Sequence, residues 1–247
     1  MSFMDSEVKD FQRYPYPEHF LFRSPPFHVE GQSAGGHDIF SLKLNAARKL
    51  PRALLIAGVH GNETESHAFI HDFLEEFQDS EHKLPVELYV LPNLNPDGFF
   101  AFTRQNANGV DLNRNMKTKD WQPGIPGDRY YGGSYPESEN ETKILTRIIL
   151  NFKPQLIISL HSWKPMININ GPAHPFAEAM AGKLTYPITE DVGYPTPGSL
   201  GTFAGWERQI PTITLEIERG MSLQKVYPLC RDAVLEAFFL LARLQSS

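Results

Sequence analysis

Three short segments hold the residues whose types and spacing carry chemistry: His60-Gly61-Asn62-Glu63, Ser159-Leu160-His161-Ser162 and Thr214-Leu215-Glu216-Ile217. Two imidazoles and a carboxylate, from His60, Glu63 and His161, make the donor set of a mononuclear zinc site that keeps a fourth position for water. A second carboxylate, Glu216, would take the proton of that water. Taken alone, His-x-x-Glu says little, because a chain with nine histidines holds about one such match by chance. Its setting says more.

Arg52 to Val59 is a short apolar run of the kind that forms a buried strand, and His60 stands where it ends. Gly61-Asn62 supply a turn, and Glu63 opens a segment to Phe77 with helical apolar spacing at Ala68, Phe69, Phe73, Leu74 and Phe77. His161 follows a second apolar run, 155–160, and Glu216 closes a third, 211–217, which is rich in β-branched residues. The three groups therefore fall at strand ends, on the carboxyl edge of a sheet, where open α/β folds gather their ligands. A buried carboxylate without a partner is costly, so Glu216 reads as functional.

The remaining elements follow from period and punctuation. Residues 27–30 and 38–44 read as a hairpin around Gly35-Gly36, and 86–91 as a further strand. Residues 93–136, dense in Gly, Asn, Asp and Pro, form a loop long enough to be functional. Ser138-Glu139-Asn140-Glu141 reads as a capping box opening a helix over 139–151. A short helix near 174–184 and a last amphipathic helix over 222–244, carrying Cys230 as a small core residue, complete the chain. Strands alternating with helices mean α/β. Residues 1–26, with Pro15, Pro17, Pro25 and Pro26, are expected to be an irregular arm, and 27–247 one catalytic domain.

Composition narrows the function. A formal charge of −6 argues against a nucleic-acid or anionic-membrane binder. The single cysteine excludes an intrachain disulfide framework. The N-terminus lacks the basic and apolar regions of a secretory signal, and no run approaches the roughly 18 apolar residues of a membrane span. A cytoplasmic location, with no obligatory protein partner evident, is the expectation. A second histidine pair, His67 and His71, shares one face of the 63–77 segment at i,i+4; with no third ligand in a matching context, a packing or solvated role is expected for it.

The long loop also holds Arg104 and the run Gly109-Val-Asp-Leu-Asn-Arg-Asn115. The planar fork of arginine suits a carboxylate, and Arg114 flanked by Asn113 and Asn115 reads as recognition of a charged end group. The ordered set resembles the zinc carboxypeptidase family over about residues 55 to 220. The resemblance implies one Zn2+ held by His60, Glu63 and His161, with Glu216 as general base and Arg104 polarising the scissile carbonyl. It also implies that Asn113 and Arg114 grip the terminal carboxylate, that Tyr194 closes over the substrate, and that Trp163 lies on the substrate side where a tyrosine is common. The fold it implies is a mixed, largely parallel twisted sheet with helices on both faces.

The Gly- and Pro-rich stretch 194–201 and the modest length look like the small bacterial members, including murein peptide amidases, which cleave the γ-D-glutamyl–diaminopimelate bond. Glu218 and Arg219, just past Glu216, are candidates to meet a zwitterionic side chain. Two other readings compete: a general C-terminal carboxypeptidase, and an N-acyl amino acid acylase of the aspartoacylase or succinylglutamate desuccinylase type. A non-catalytic binding module on the same scaffold is disfavoured by the intact Glu216.

Overall fold

Strict alternation of side chains along the central strands gives the sheet two apolar faces, and each face collects its own helices. The computed structural model describes residues 27–46, 49–77 and 84–246; the arm expected over 1–26 lies outside them. Strands β1 (His28–Gln32), β2 (Asp38–Leu44), β3 (Arg52–Ile56), β4 (Glu87–Leu91), β5 (Leu156–Trp163), β6 (Met166–Asn170), β7 (Ile188–Thr189) and β8 (Thr212–Glu218) form one sheet in the order β1-β2-β4-β3-β5-β8-β6-β7. The centre, β4-β3-β5-β8, is parallel; β2 joins β4, and β6 joins β8, antiparallel. This is the mixed, largely parallel sheet that the sequence implied.

On one face, Ala53 and Leu55 of β3, with Ile158 and Leu160 of β5, pack on helices α1 (Thr64–Phe77), α4 (His174–Ala181) and α5 (Leu223–Ser246) through Phe69, Phe73, Met180, Val226 and Phe238. Cys230 sits in this cluster, fully buried. On the other face, Leu54, Ile56 and Ile157 meet Leu145, Ile148 and Ile149 of α3 (Asn140–Phe152). Burying side chains of this size stabilises by about 1.5–3 kcal/mol each, so both layers hold the central strands rigid beneath the site. No helix among the described residues is long and apolar enough to cross a membrane.

The structure departs from the sequence reading in four places. His161 lies inside β5 rather than after it, because β8 runs alongside and pairs as far as Trp163 with Glu218. Strands β6 and β7 were not anticipated, although Met166-Ile-Asn-Ile-Asn170 alternates as a strand should. The loop 93–136 contains a short helix α2 (Pro96–Ala101), capped by Asn95, and a 3-10 turn, Leu112–Arg114. The capping box at 138–141 does not form: Glu141, fully buried, accepts from the Ala34 amide and Asn106, while Asn115 Oδ1 accepts from the Glu139 amide at 3.1 Å and from Thr142 at 2.7 Å. Tertiary donors displace the local reciprocal pair.

Candidate metal centre

The carboxyl end of β3 is built to turn sharply. Beyond Ile56, the Leu94 amide donates to Ala57 at 3.1 Å and the Asn95 amide to Gly58 at 2.8 Å, so the chain after β4 stays zipped to the chain after β3. A Cβ on Gly61 would sit 1.8 Å from the carbonyl carbon of Gly98, so only glycine lets His60 and Glu63 lie against α2. Glu63 immediately precedes α1, and its amide donates back to His60 O at 3.3 Å. In the parallel pair β5–β8, the register sets His161 directly beside Glu216. One turn and one strand pair thus bring together residues 156 positions apart.

The donor atoms converge. His60 Nδ1 lies 2.8 Å from Glu63 Oε1, His161 Nδ1 lies 2.9 Å from Glu63 Oε2, and the two ring nitrogens are 3.1 Å apart. All three side chains are buried. Asp111 Oδ1 lies 3.1 Å from His60 Nε2. Burial works against the Asp111 charge, yet Arg104 and His60 hold its carboxyl far below the usual carboxylate range. An ionised carboxylate only accepts, so His60 donates from Nε2 and turns its Nδ1 lone pair inward. A buried convergence of imidazole nitrogen and carboxylate oxygen, with a carboxylate orienting one imidazole from behind, is the chemistry of a zinc-binding set. Burial likewise opposes ionisation of Glu63, but the imidazoles of His60 and His161 outweigh it and hold that carboxyl well below its ordinary value.

Arg104 closes the same knot. Its Nε donates to Asp111 Oδ2 at 2.9 Å, and its Nη1 lies 3.2 Å from His60 Nδ1 and 3.6 Å from Glu63 Oε1. Glu216 differs from the other acids: its Oε2 is buried and meets no hydrogen-bond donor among the described residues. Burial pushes its carboxyl up to about 7, with Glu63 adding to the push against the pull of His161 and Arg104.

A cavity of about 690 Å³ opens above these groups, and all nine residues expected from the sequence line it: His60, Glu63, Arg104, Asn113, Arg114, His161, Trp163, Tyr194 and Glu216. Arg114 is 3% exposed and has no ion-pair partner among the described residues; its Nη1 donates to the Asn113 carbonyl at 2.6 Å. The Leu200 amide donates to Asn113 Oδ1 at 2.8 Å, which leaves the Asn113 NH2 as a donor. The Tyr194 ring stands 5.7 Å from those of Trp163 and Tyr130, and 5.9 Å from the Arg114 guanidinium. Of the pair past Glu216, Arg219 lines the cavity and donates to Asn62 O at 2.9 Å, whereas Glu218 is exposed and does not line it.

Two participants escaped the sequence reading. Asp111 was visible only as part of the Asn-Arg run, and Tyr130 only as one aromatic of a long loop; its ring lies 5.3 Å from both Arg104 and Arg114. The pair His67 and His71 does not make a second ligand set with a shared centre. His67 is buried against Phe99, with burial pushing its imidazole down to about 4, and His71 falls instead with Asp72 and Glu75.

A sequence model described as zinc carboxypeptidase matches residues 26–217. The chain belongs to the zinc carboxypeptidase family. As a member, it is a hydrolytic metallopeptidase with zinc as its metal, and His60, Glu63 and His161 are a set that fits the ion. Murein peptide amidase A of Vibrio campbellii is 34% identical over 181 residues, 67% of this chain and 69% of the relative. The Escherichia coli K12 protein of the same name is 35% identical over 162 residues, 61% and 64% of the two chains. The crystal structure of murein-tripeptide amidase from Escherichia coli O157 superposes with a TM-score of 0.71 at 27% identity, covering 93% of this chain and 95% of that one.

Proposed function

We propose that this metallopeptidase is a carboxypeptidase that releases the terminal residue of a small carboxylate-bearing peptide, with the γ-D-glutamyl–diaminopimelate bond of murein peptides as the bond cleaved. The observation that carries the reading is Arg114: a buried guanidinium without a carboxylate partner among the described residues, lining the same cavity as a convergent metal set and the Glu216 carboxyl. A buried charge of that kind is stable only if something anionic meets it. The names of the amidase relatives supply the substrate class. A cytoplasmic location belongs to the same proposal, supported by a lone cysteine held as a free, buried thiol.

In this reading His60, Glu63 and His161 hold one zinc ion, oriented through Asp111. The ion supplies Lewis acidity, which acidifies water and polarises a carbonyl. Arg114 and the Asn113 NH2 hold the free carboxylate, which sets the scissile bond one residue in. Arg104, its Nε already committed to Asp111, offers its remaining N–H groups to the oxygen on which negative charge develops. Glu216 accepts the proton of the attacking water and passes it to the leaving amine, a role helped by the burial that raises its proton affinity above that of an ordinary carboxylate. Tyr194, Tyr130 and Trp163 form the aromatic wall of the cavity.

The test is amine release from L-Ala-γ-D-Glu-diaminopimelate, its C-terminally amidated form, a hippuryl dipeptide and N-acetylaspartate. Cleavage of the first alone supports the proposal. Cleavage of the hippuryl dipeptide would make the enzyme a general carboxypeptidase, and cleavage of N-acetylaspartate an acylase. A hydrogen bond to a charged group contributes about 1.5–3 kcal/mol. Arg114→Ala is therefore expected to raise KM for the free carboxylate roughly 10- to 150-fold and to leave the amidated peptide's KM near its wild-type value. An equal rise for both would remove Arg114 as the anchor.

A further inference from the structure

Guanidiniums converge on the ring of Tyr130. Its centroid lies 5.3 Å from the Arg104 guanidinium, 5.3 Å from that of Arg114 and 5.8 Å from that of Arg129. The residue is 43% exposed and lines the cavity beside the metal set. A cation within about 6 Å of a ring centroid is attracted to the electron-rich face. One ring therefore serves two arginines of different duty: Arg104 beside the metal set, and Arg114 at the carboxylate end of the cavity. Tyr194 reaches Arg114 as well, at 5.9 Å.

The backbone that carries Tyr130 is pinned to both arginine segments. Gln105, next to Arg104, donates from Nε2 to Arg129 O at 3.0 Å. The Asp111 amide donates to Tyr131 O at 2.8 Å, and Asp111 is also the carboxylate partner of Arg104. Gly132 lies against Arg114 itself: a Cβ there would stand 2.7 Å from Arg114 O. Asn115 Nδ2 donates to Gly132 O at 2.7 Å. The ring is exposed, yet its main chain is fixed on both sides. Arg104 and Arg114 carry like charges in one partly dehydrated cavity and repel each other. Asp111 offsets Arg104. Arg114 has no ion-pair partner among the described residues, and meets the Asn113 carbonyl and the faces of Tyr130 and Tyr194 instead.

We propose that Tyr130 is a positioning residue whose ring face holds the Arg104 and Arg114 guanidiniums in a fixed relation, so that anchoring the terminal carboxylate aligns the scissile carbonyl with Arg104. The assignment rests on the reading of Arg114 as the carboxylate anchor and of Arg104 as the group that meets the developing charge. While no anion is bound, the electron-rich ring keeps Arg114 facing the cavity. Once the carboxylate is held, the same ring keeps Arg104 at the matching distance. Small misplacements of such groups are costly in rate. The ring face does this work and the phenol hydroxyl does not, so phenylalanine can replace tyrosine here and an aliphatic residue of similar bulk cannot.

Steady-state kinetics of the zinc-loaded enzyme test this, with L-Ala-γ-D-Glu-diaminopimelate and a hippuryl dipeptide as substrates. Tyr130→Leu is expected to lower kcat/KM about tenfold, divided between a raised KM and a lowered kcat. Tyr130→Phe is expected to retain at least about half of the wild-type value. The same Leu substitution is then made in Arg114→Ala. There it is expected to raise KM no further and to lower kcat several-fold, because only the Arg104 contact is left to lose. Wild-type kinetics in Tyr130→Leu, or an equal loss in Tyr130→Phe, overturns the proposal. So does a KM increase of the same size with and without Arg114, which is the mark of a general structural defect. If the wild type cleaves only the hippuryl dipeptide, the murein substrate fails and the same cycle on that dipeptide decides the role of Tyr130. If it cleaves neither, the carboxypeptidase reading fails and the alignment falls with it. If it cleaves either one and Tyr130→Leu changes nothing, the alignment fails and the carboxypeptidase reading stands.

Discussion

At the scale of the residue, the site is a set of charges that hold one another in place. Asp111 serves two neighbours, with one oxygen 3.1 Å from His60 Nε2 and the other accepting from Arg104 Nε at 2.9 Å. Second-layer carboxylates of this kind typically contribute 10- to 100-fold in metal affinity. Asp111→Asn is therefore expected to weaken zinc binding by about that factor, as read by competition with a chelating dye; unchanged affinity would leave Asp111 a structural partner of Arg104 alone. Within the cavity, Glu216 has a buried Oε2 with no hydrogen-bond donor among the described residues. Glu216→Gln is expected to keep the full zinc content and to lose about 10²- to 10⁴-fold in kcat. Normal turnover in that variant would reject Glu216 as the base.

At the scale of the element, the fold brings those residues together with a glycine turn and a strand register. A Cβ at Gly61 would strike the Gly98 carbonyl carbon at 1.8 Å, and backbone on both sides leaves nothing flexible to yield. Gly61→Ala is expected to cost about 3 kcal/mol or more, read as a fall in denaturation midpoint. The comparison is Gly109→Ala, at φ +71° with nothing near the added carbon, which carries only the left-handed strain of about 1–2 kcal/mol. Equal losses in the two variants would mean that the Gly61–Gly98 contact is not rigid. Much of this level was legible in the chain, because apolar runs ending in His60, His161 and Glu216 are local signals. The pairing of His161 with Glu216, the extension of β5 and the strand β6 were not, since register is settled between strands far apart in sequence. Asp111 and Tyr130 were missed for the same reason: each acts through a partner brought close only by the folded loop. At the capping box, local pattern lost to tertiary contact, where Asn115 supplied the cap.

At the scale of the whole molecule, two apolar layers fix a sheet whose carboxyl edge carries a dense group of like and unlike charges. Glu63 and Glu216 face the same cavity, together with Arg104 and Arg114, and the converging donors of His60, Glu63 and His161 are assembled only in the folded chain. Metal occupancy and global stability are therefore linked. A ligand that binds only the folded state at about 1,000 times its dissociation constant adds about 4 kcal/mol, which for a chain of this length corresponds to roughly 8–16 °C in Tm. This linkage is read by one zinc titration with two readouts, Tm and hydrolysis of L-Ala-γ-D-Glu-diaminopimelate, on protein first stripped by a chelator. Stripping is expected to lower Tm by that amount and to abolish turnover, and a single equivalent of zinc is expected to restore both. Turnover that persists in protein shown to be free of metal would contradict a catalytic zinc ion at His60, Glu63 and His161.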